Sequence, residues 1–475
     1  MNKKFYITTT LPYVNADPHI GFALEIIQAD VLARYHRLLG ENVFFNTGTD
    51  EHGLKIYRRA VEEGKEPQKY VDEYAKKFDN LKRALNLSYN NFIRTTDRHH
   101  VEAAKEFWQR CFKNGDVYKS KQKIKYCVDC ELEKTESELV NNQCPIHPNK
   151  KLEIIEEENY FFRFSKYQRP LLELYKKDPK FVIPPSRFKE IKSFVSQGLK
   201  DFSISRLKAK LPWGVPVPGD PDHVMYCWFD ALINYISAIG WPKKPKEFQK
   251  WWPGVQIAGK DNLRQQSAMW QAMLISAGLP NSKQIFIHGF ITSEGQKISK
   301  SLGNTIDPFA LVKKYGTDPI RYYLLREIPA YDDGDFSEKR FREVYNADLA
   351  NGLGNLVARV AKLCERIKSA FSKEDVNFYK SHIGTTRHLL EDYRLNDSLA
   401  YIWNHIKRLD KEIGVAKPWE KKGKDLEKIL IKLVLEIRQI ASALEPFLPK
   451  TSQKIQKQFQ GPEIKSEAPL FPRLK

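Results

Sequence analysis

Three short stretches of this chain carry residue types whose spacing suits chemistry more than packing. The first is His19-Ile20-Gly21-Phe22, between the strand-like ITTT and a long helical pattern. A histidine and a glycine where a strand gives way to a helix suit an anion. The glycine lets a phosphate approach the backbone, the helix N-terminus offers unpaired N–H groups, and the imidazole can donate to a phosphate oxygen. The second is Lys297-Ile298-Ser299-Lys300-Ser301, flanked by glycines in SEGQKISKSLGN. Two ammonium groups and two hydroxyls on a loop suit a triphosphate whose charge must be stabilised during transfer. Taken alone, this stretch would pass for a solvated basic loop. The third pairs Cys127-Val-Asp-Cys130 with Cys144-Pro-Ile-His147, two Cys-x-x-ligand knuckles 13 residues apart. Together they offer four N/S ligands for one tetrahedral, structural Zn2+, with no position left open for catalysis. A redox Cys-x-x-Cys would need a strand-then-helix setting that is missing here. The remaining cysteines, Cys111, Cys227 and Cys364, are scattered and do not form a disulfide framework.

These groups need elements to hold them. KFYITTT, NVFFNTG and NFIRTT read as short strands, separated by helical stretches such as VEAAKEFWQRCF. That alternation predicts a parallel sheet with right-handed crossovers. The first helix carries apolar residues at 20, 23, 24, 27, 31, 35 and 38, a stripe of helical period. From 116 to 215 lysines, clustered cysteines and prolines break the pattern, as an inserted module would. Strand–helix alternation resumes in HVMYCWFDALINYISAIG, VQIAGKDNLRQQSAMWQAML and QIFIHGFIT, and beyond 340 only helical periodicity remains. The expected fold is therefore α/β: a doubly wound, Rossmann-like parallel-sheet domain in two halves, 1–115 and 216–292. A zinc-binding insertion, 116–215, splits it. A linking segment, 293–340, carries the Lys-Ile-Ser-Lys-Ser loop, and an all-α helix bundle fills 341–475. In such a sheet, ligands bind at the carboxyl ends of the strands, where His19 and Gly21 stand.

Composition narrows the function. The chain has 475 residues, too many for one core, with 41% hydrophobic and 29% charged residues, as in ordinary globular proteins. No apolar run approaches a membrane span, and the N-terminus enters a strand without a signal-peptide pattern, so a cytosolic protein is expected. A formal charge of +19 favours an anionic partner such as nucleic acid.

The first two stretches match the two signatures of class I aminoacyl-tRNA synthetases, usually written His-Ile-Gly-His and Lys-Met-Ser-Lys-Ser. Further stretches, in order, resemble the methionyl-tRNA synthetase family along nearly the whole chain: LPYVNADPHIG, FFNTGTDEHGLKI, the cysteine knuckles, WGVPVPGDPDHVMYCWFDALINY, IAGKD, FIHGF, KISKSLGN and KPWE. The resemblance implies a ligase that activates methionine with ATP and Mg2+ and passes it to the 3′ end of methionine tRNA. It implies ATP contacts at His19, Gly21, Glu25, Lys297, Ser299 and Lys300, with His19, Gly21, Lys297 and Lys300 acting in catalysis. It implies a methionine pocket of Leu11, Tyr13, Asp50, Trp228, Ala231, Tyr235 and His288. Asp50 can hold the substrate ammonium, and Trp228 and Tyr235, seven apart, would share a helical face and offer rings to a thioether. Anticodon readers are implied at Asn355, Arg359 and Trp419, an indole suited to stacking on an unpaired base. Because the chain stops soon after the helical region, a monomer is expected.

Two departures stand out. Phe22 occupies the place of the second signature histidine, and Gln265-Gln266 stand where an aromatic residue and a histidine usually follow the arginine. Loss of one transition-state contact costs ~10²–10³ in rate. A synthetase-like tRNA-binding protein with little activation chemistry is therefore the competing expectation. Class I relatives for leucine, isoleucine, valine or cysteine are a third. The insertion is too short for an editing domain, and the knuckles lie outside the substrate pocket.

Overall fold

The computed structural model describes residues 3–128, 132–134, 139–145, 148–298, 304–367, 371 and 383–474. Its contacts divide the chain into two compact units. One comprises 1–18, 40–80 and 89–287, the other 19–39, 81–88 and 288–475.

The first unit is built on strands β1 (Lys4–Thr9), β2 (Asn42–Thr49) and β3 (Asn91–Arg94), which are the three expected at its start. β1 pairs in parallel with β2 on one side and with Val255–Gly259 on the other, and β2 pairs in parallel with β3. The full order is β3, β2, β1, Val255–Gly259, Gln284–His288, Val182–Ile183. Successive strands run outward in opposite directions from β1 and Val255–Gly259, so the switch point of a doubly wound sheet lies between those two. β1 is buried on both faces after its first residue, the pattern of a parallel strand covered on both sides. Its two buried threonines do not break this rule, because Thr9 Oγ1 shares a 2.8 Å hydrogen bond with Thr47 Oγ1. The core beside the sheet is aromatic. Phe107 stacks on Trp270 at 5.7 Å and meets Phe229 and Trp241 edge-on.

The stretch 116–215 is not self-contained. Leu132–Lys134, Val117–Cys127, Glu153–Phe162 and Phe202–Ser203 do form a separate antiparallel sheet. Val182–Ile183, however, pairs in parallel with Ile285 and Phe286 and adds an edge strand to the main sheet. A two-residue strand has no periodicity to read. Two prolines, Pro184 and Pro185, follow it at once, and proline is confined to strand ends and edges.

In the second unit, helix α1 spans Ile20–Leu38. Its apolar stripe is buried except for Leu38 in the last turn, but so are Glu25, Gln28 and Asp30, so the helix is enclosed on nearly every side. Asp30 is matched by the fully buried Arg321, 2.8 Å away on the helix Thr317–Arg326. Arg321 also donates to the carbonyls of Phe447 (2.7 Å), Pro446 (3.0 Å) and Leu85 (3.2 Å). One guanidinium thus ties α1, its own helix and the C-terminal region together. A small sheet orders Gln296–Lys297, Ile291–Ser293 and Gly334–Phe336. After it the described residues form helices, among them Asn355–Cys364, Leu395–Ala416, Gly423–Leu444 and Pro449–Phe459.

Candidate active site

His19 is the N-cap of α1, in extended backbone geometry, and its Nδ1 accepts from the Gly21 N–H at 3.1 Å. In a neutral ring that bond leaves the proton on Nε2, the donor a phosphate oxygen needs. The glycine has a steric reason. A Cβ at position 21 would lie 3.0 Å from Cε1 and 3.1 Å from Nδ1 of His19, so a side chain there crowds the imidazole, which would have to give by a few tenths of an ångström. The expectation of unpaired first-turn N–H groups is not met. Ile20 donates to the Ile306 carbonyl at 3.1 Å, Gly21 to His19 Nδ1, and Phe22 and Ala23 to the His19 carbonyl. The turn therefore presents an oriented imidazole rather than a nest of amides. Phe22 follows, half-buried, with no polar side-chain group.

The Ile20–Ile306 bond joins this turn to the chain just beyond the Lys-Ile-Ser-Lys-Ser stretch. Lys297 ends a short strand that pairs with Thr292 and Ser293. Ser299, Lys300 and Ser301 lie outside the described residues. Glu25 and His288, expected on the ATP and methionine sides respectively, are paired with each other. His288 Nε2 sits 3.0 Å from Glu25 Oε2 while Nδ1 faces the Gly289 carbonyl at 2.7 Å.

In the first unit, Tyr13 and Asp50 face each other as a parallel bridge at the carboxyl ends of β1 and β2. Val14 N–H donates to the Asp50 carbonyl at 3.2 Å and Asp50 N–H to the Pro12 carbonyl at 3.0 Å. Leu11 is half-buried beside them. The next two residues are the framework that sequence reasoning missed. Glu51 is fully buried and accepts from Thr49, Thr96 and both Nε and Nη2 of Arg94, at 2.5–2.9 Å. His52 Nδ1 lies 2.6 Å from Asp230 Oδ2, and His100 Nε2 lies 2.9 Å from Asp230 Oδ1. Burial acts to raise the Asp230 carboxyl, but the two histidines outweigh it and hold its pKa at about 2. Asp230 stands between Trp228 and Ala231, so it locks the short helix Cys227–Ala231 to the end of β2. The sequence did hold a signal: Asp50, Glu51 and His52 sit together directly after an apolar strand, and buried charges require partners.

Trp228 and Tyr235 do not share one helical face. The helix stops at Ala231 and a second begins at Asn234, with a turn between. Trp228 is half-buried. Tyr235 is buried, accepts at its backbone carbonyl from Tyr6 Oη at 2.8 Å, and meets Trp270 edge-on at 5.9 Å.

Of the knuckle residues, Cys127 ends the strand Val117–Cys127 and Cys144 follows a tight turn at Asn141 and Asn142, both at positive φ. Both cysteines are buried and outside any disulfide. Cys130 and His147 lie outside the described residues, and among the described residues no cluster of three or more His, Cys, Asp or Glu could hold a metal. In the helical region, Asn355 is exposed at the start of its helix, one turn before Arg359. The Arg359 guanidinium lies 5.2 Å from the Trp419 ring and its Nη1 is 3.0 Å from Asp410. Trp419 is 45% exposed.

The family model described as "tRNA synthetases class I (M)" matches residues 5–151 and 132–361. A methionine–tRNA ligase from Nostoc sp. is 44% identical over 96% of this chain and 90% of the relative. One from Thermotoga maritima is 44% identical over 95% of this chain and 74% of the relative. The solved Mycobacterium tuberculosis methionyl-tRNA synthetase in complex with methionyl-adenylate superposes with a TM-score of 0.90. It is 35% identical and the match covers 99% of this chain and 100% of that one. These matches give no support to a tRNA-binding protein devoid of activation chemistry. The chain belongs to the class I aminoacyl-tRNA synthetases, in the methionyl-tRNA synthetase family.

Proposed function

We propose that the chain is a methionine–tRNA ligase that works as a cytoplasmic monomer. The observation that supports this reading is the Ile20–Ile306 hydrogen bond, which brings the His19 turn beside the chain that follows the lysine–serine stretch in sequence. In the first step a methionine carboxylate oxygen attacks the α-phosphorus of ATP. The bond to the β-phosphate oxygen breaks, and pyrophosphate leaves. In the second, the ribose hydroxyl at the tRNA 3′ end attacks the acyl carbon, losing its proton, and AMP departs. His19 donates from Nε2 to a phosphate oxygen, and the α1 dipole adds positive potential. Gly21 keeps that ring in place. Lys297 and Lys300, with Ser299, neutralise charge on the departing pyrophosphate. Mg2+ arrives with the nucleotide. Asp50 holds the methionine ammonium. Leu11, Tyr13, Trp228, Ala231, Tyr235 and His288 are the residues assigned to the methionine side chain, and His288 is oriented by Glu25. Positioning and charge stabilisation carry the rate, with no covalent enzyme intermediate.

Residues 116–215 form the insertion, which also lends the edge strand Val182–Ile183 to the main sheet, and Cys127, Cys130, Cys144 and His147 would hold a structural Zn2+. Two buried thiols at the first position of each knuckle suit that metal. Residues 341–475 form the anticodon-binding helix bundle, where Trp419 stacks on a base and Asn355 and Arg359 read base edges. Methionine-dependent ATP–pyrophosphate exchange, with leucine, isoleucine, valine and cysteine as competitors, tests the function. Exchange that is absent, or indifferent to methionine, would overturn it.

A further inference from the structure

Gln266 replaces a histidine that the family pattern leads one to expect, and the structure gives it a specific task. It lies in a π-helical segment, Gln265–Met269, inserted before the helix Trp270–Ser276. Such a wide turn adds one residue to the helical register and re-aims side chains, and it recurs at functional sites. Here Gln266 Nε2 donates to the Tyr235 hydroxyl oxygen at 2.6 Å. Both residues are almost fully buried, at 1% and 2% exposure.

An amide can face a hydroxyl with either end, but neighbours remove that choice. Gln256, on the strand beside β1, donates from Nε2 to Gln266 Oε1 at 3.2 Å. Gln256 Oε1 in turn accepts from Ser282 Oγ at 2.6 Å, and Ser282 Oγ accepts from Gln271 Nε2 at 3.0 Å. Gln271 Nε2 also donates to the Gln266 backbone carbonyl at 2.8 Å. Every amide in this relay is polarised the same way, so the Gln266 nitrogen must point at Tyr235. The phenol oxygen is then an acceptor on that side, and its own proton is directed away from Gln266. No member of the relay from Gln271 to Gln266 titrates in the ordinary pH range.

We propose that Gln266 is a positioning residue for amino-acid recognition: the Gln271–Ser282–Gln256–Gln266 relay fixes the ring and the proton direction of Tyr235. A thioether sulfur, a weak acceptor, would then meet a donor of set orientation at every working pH. This rests on the reading that Tyr235 lines the methionine pocket.

The test compares Gln266→Leu, Gln266→His and Tyr235→Phe, with the double variant Tyr235→Phe/Gln266→Leu. Methionine-dependent ATP–pyrophosphate exchange is followed from pH 6 to 9. Gln266→Leu is expected to raise KM for methionine about tenfold, the worth of one buried hydrogen bond, with KM for ATP unchanged. Gln266→His restores the methionine KM at high pH. It loses it as the ring protonates near pH ~6.5, because a doubly protonated ring cannot accept from Gln256. The unmodified protein shows no such step. In the double variant, removal of Gln266 adds nothing to the effect of Tyr235→Phe. If Tyr235→Phe raises the methionine KM and Gln266→Leu does not, or if Gln266→Leu raises both KM values alike, the positioning role is wrong. If Tyr235→Phe leaves the methionine KM unchanged, the pocket assignment itself fails. Should Gln266→Leu not fold, the pH profile of Gln266→His decides: a flat profile overturns the proposal.

Discussion

Asp30→Ala is the most informative perturbation of the framework behind the His19 turn. The Asp30 carboxylate is fully buried in α1. It accepts from Arg321 Nη1 at 2.8 Å, Arg34 Nε at 2.7 Å, and Ser88 N and Oγ at 2.7 and 2.6 Å. Arg321 is equally buried. Removing the carboxylate leaves a guanidinium in the interior without its counter-charge, a change that costs about 3–5 kcal/mol. At roughly 2–4 °C per kcal/mol for a unit of this size, Tm falls by about 6–20 °C. Arg321→Met should cost at least as much, because it strips donors from the Phe447, Pro446 and Leu85 carbonyls besides leaving Asp30 one partner short. The sign with pH follows. Burial alone would raise the Asp30 pKa, but Arg321 and Arg34 together drive it below the model-peptide value. The folded carboxyl thus binds its proton less readily than the unfolded one. The stabilisation is complete above the unfolded pKa of ~3.9 and is lost as pH falls through the lower folded value. Asp30→Asn should flatten that acid limb. Thermal and urea unfolding of the three variants at pH 7, and of Asp30→Asn down to pH 3, provide the measurement. A loss below ~1 kcal/mol for both Asp30→Ala and Arg321→Met would refute the buried-pair reasoning.

Other outcomes follow from the same geometry. Gly21→Ala should lower the exchange rate by crowding the His19 ring, by at most the ~10²-fold that loss of its contact would cost, with Tm nearly unchanged; a normal rate of methionine-dependent exchange would show the ring has room. Asp230→Asn should remove an acid transition. With a folded pKa of about 2, the native contribution of Asp230 is present above pH ~4 and lost between ~4 and 2, so wild-type stability must fall across that window more steeply than the variant's. Trp419→Ala should raise the KM for tRNA in aminoacylation while leaving pyrophosphate exchange intact, since its indole lies on the surface beside Arg359; equal effects in both assays would contradict a role confined to tRNA. Chelation should release one zinc per chain, read by metal analysis, and Cys127→Ser should arrive without it; full metal content in that variant would discard the knuckle assignment.

The central strands and α1 were legible because each is continuous and strongly patterned. β1, β2 and β3 lie where apolar runs between turn residues put them. Motif order made the family legible as well. What local pattern could not carry was pairing. Val182–Ile183 is too short to announce its parallel partner, and no glycine or proline marks the interruption between Ala231 and Asn234. The first-turn amides looked available because a sequence cannot show the Ile306 carbonyl arriving from far along the chain. Glu51, His52, His100 and Asp230 escaped notice for the same reason. The Asp50-Glu51-His52 run was the one local signal; the partners Arg94, His100 and Asp230 join it only through contacts of long sequence separation. Gln266 looked like erosion of a motif until its partners Gln256 and Tyr235 gave the amide a direction.

The Asp230 carboxylate carries a further consequence for how the chain is made. It grips His52 across 178 residues of sequence and His100 across 130. Loops of that length close only after the nearer elements have formed, and synthesis proceeds from the N-terminus. A nascent chain that has emerged through His100 holds both imidazoles without the carboxylate that joins them, so this three-residue framework closes only after residue 230 leaves the ribosome.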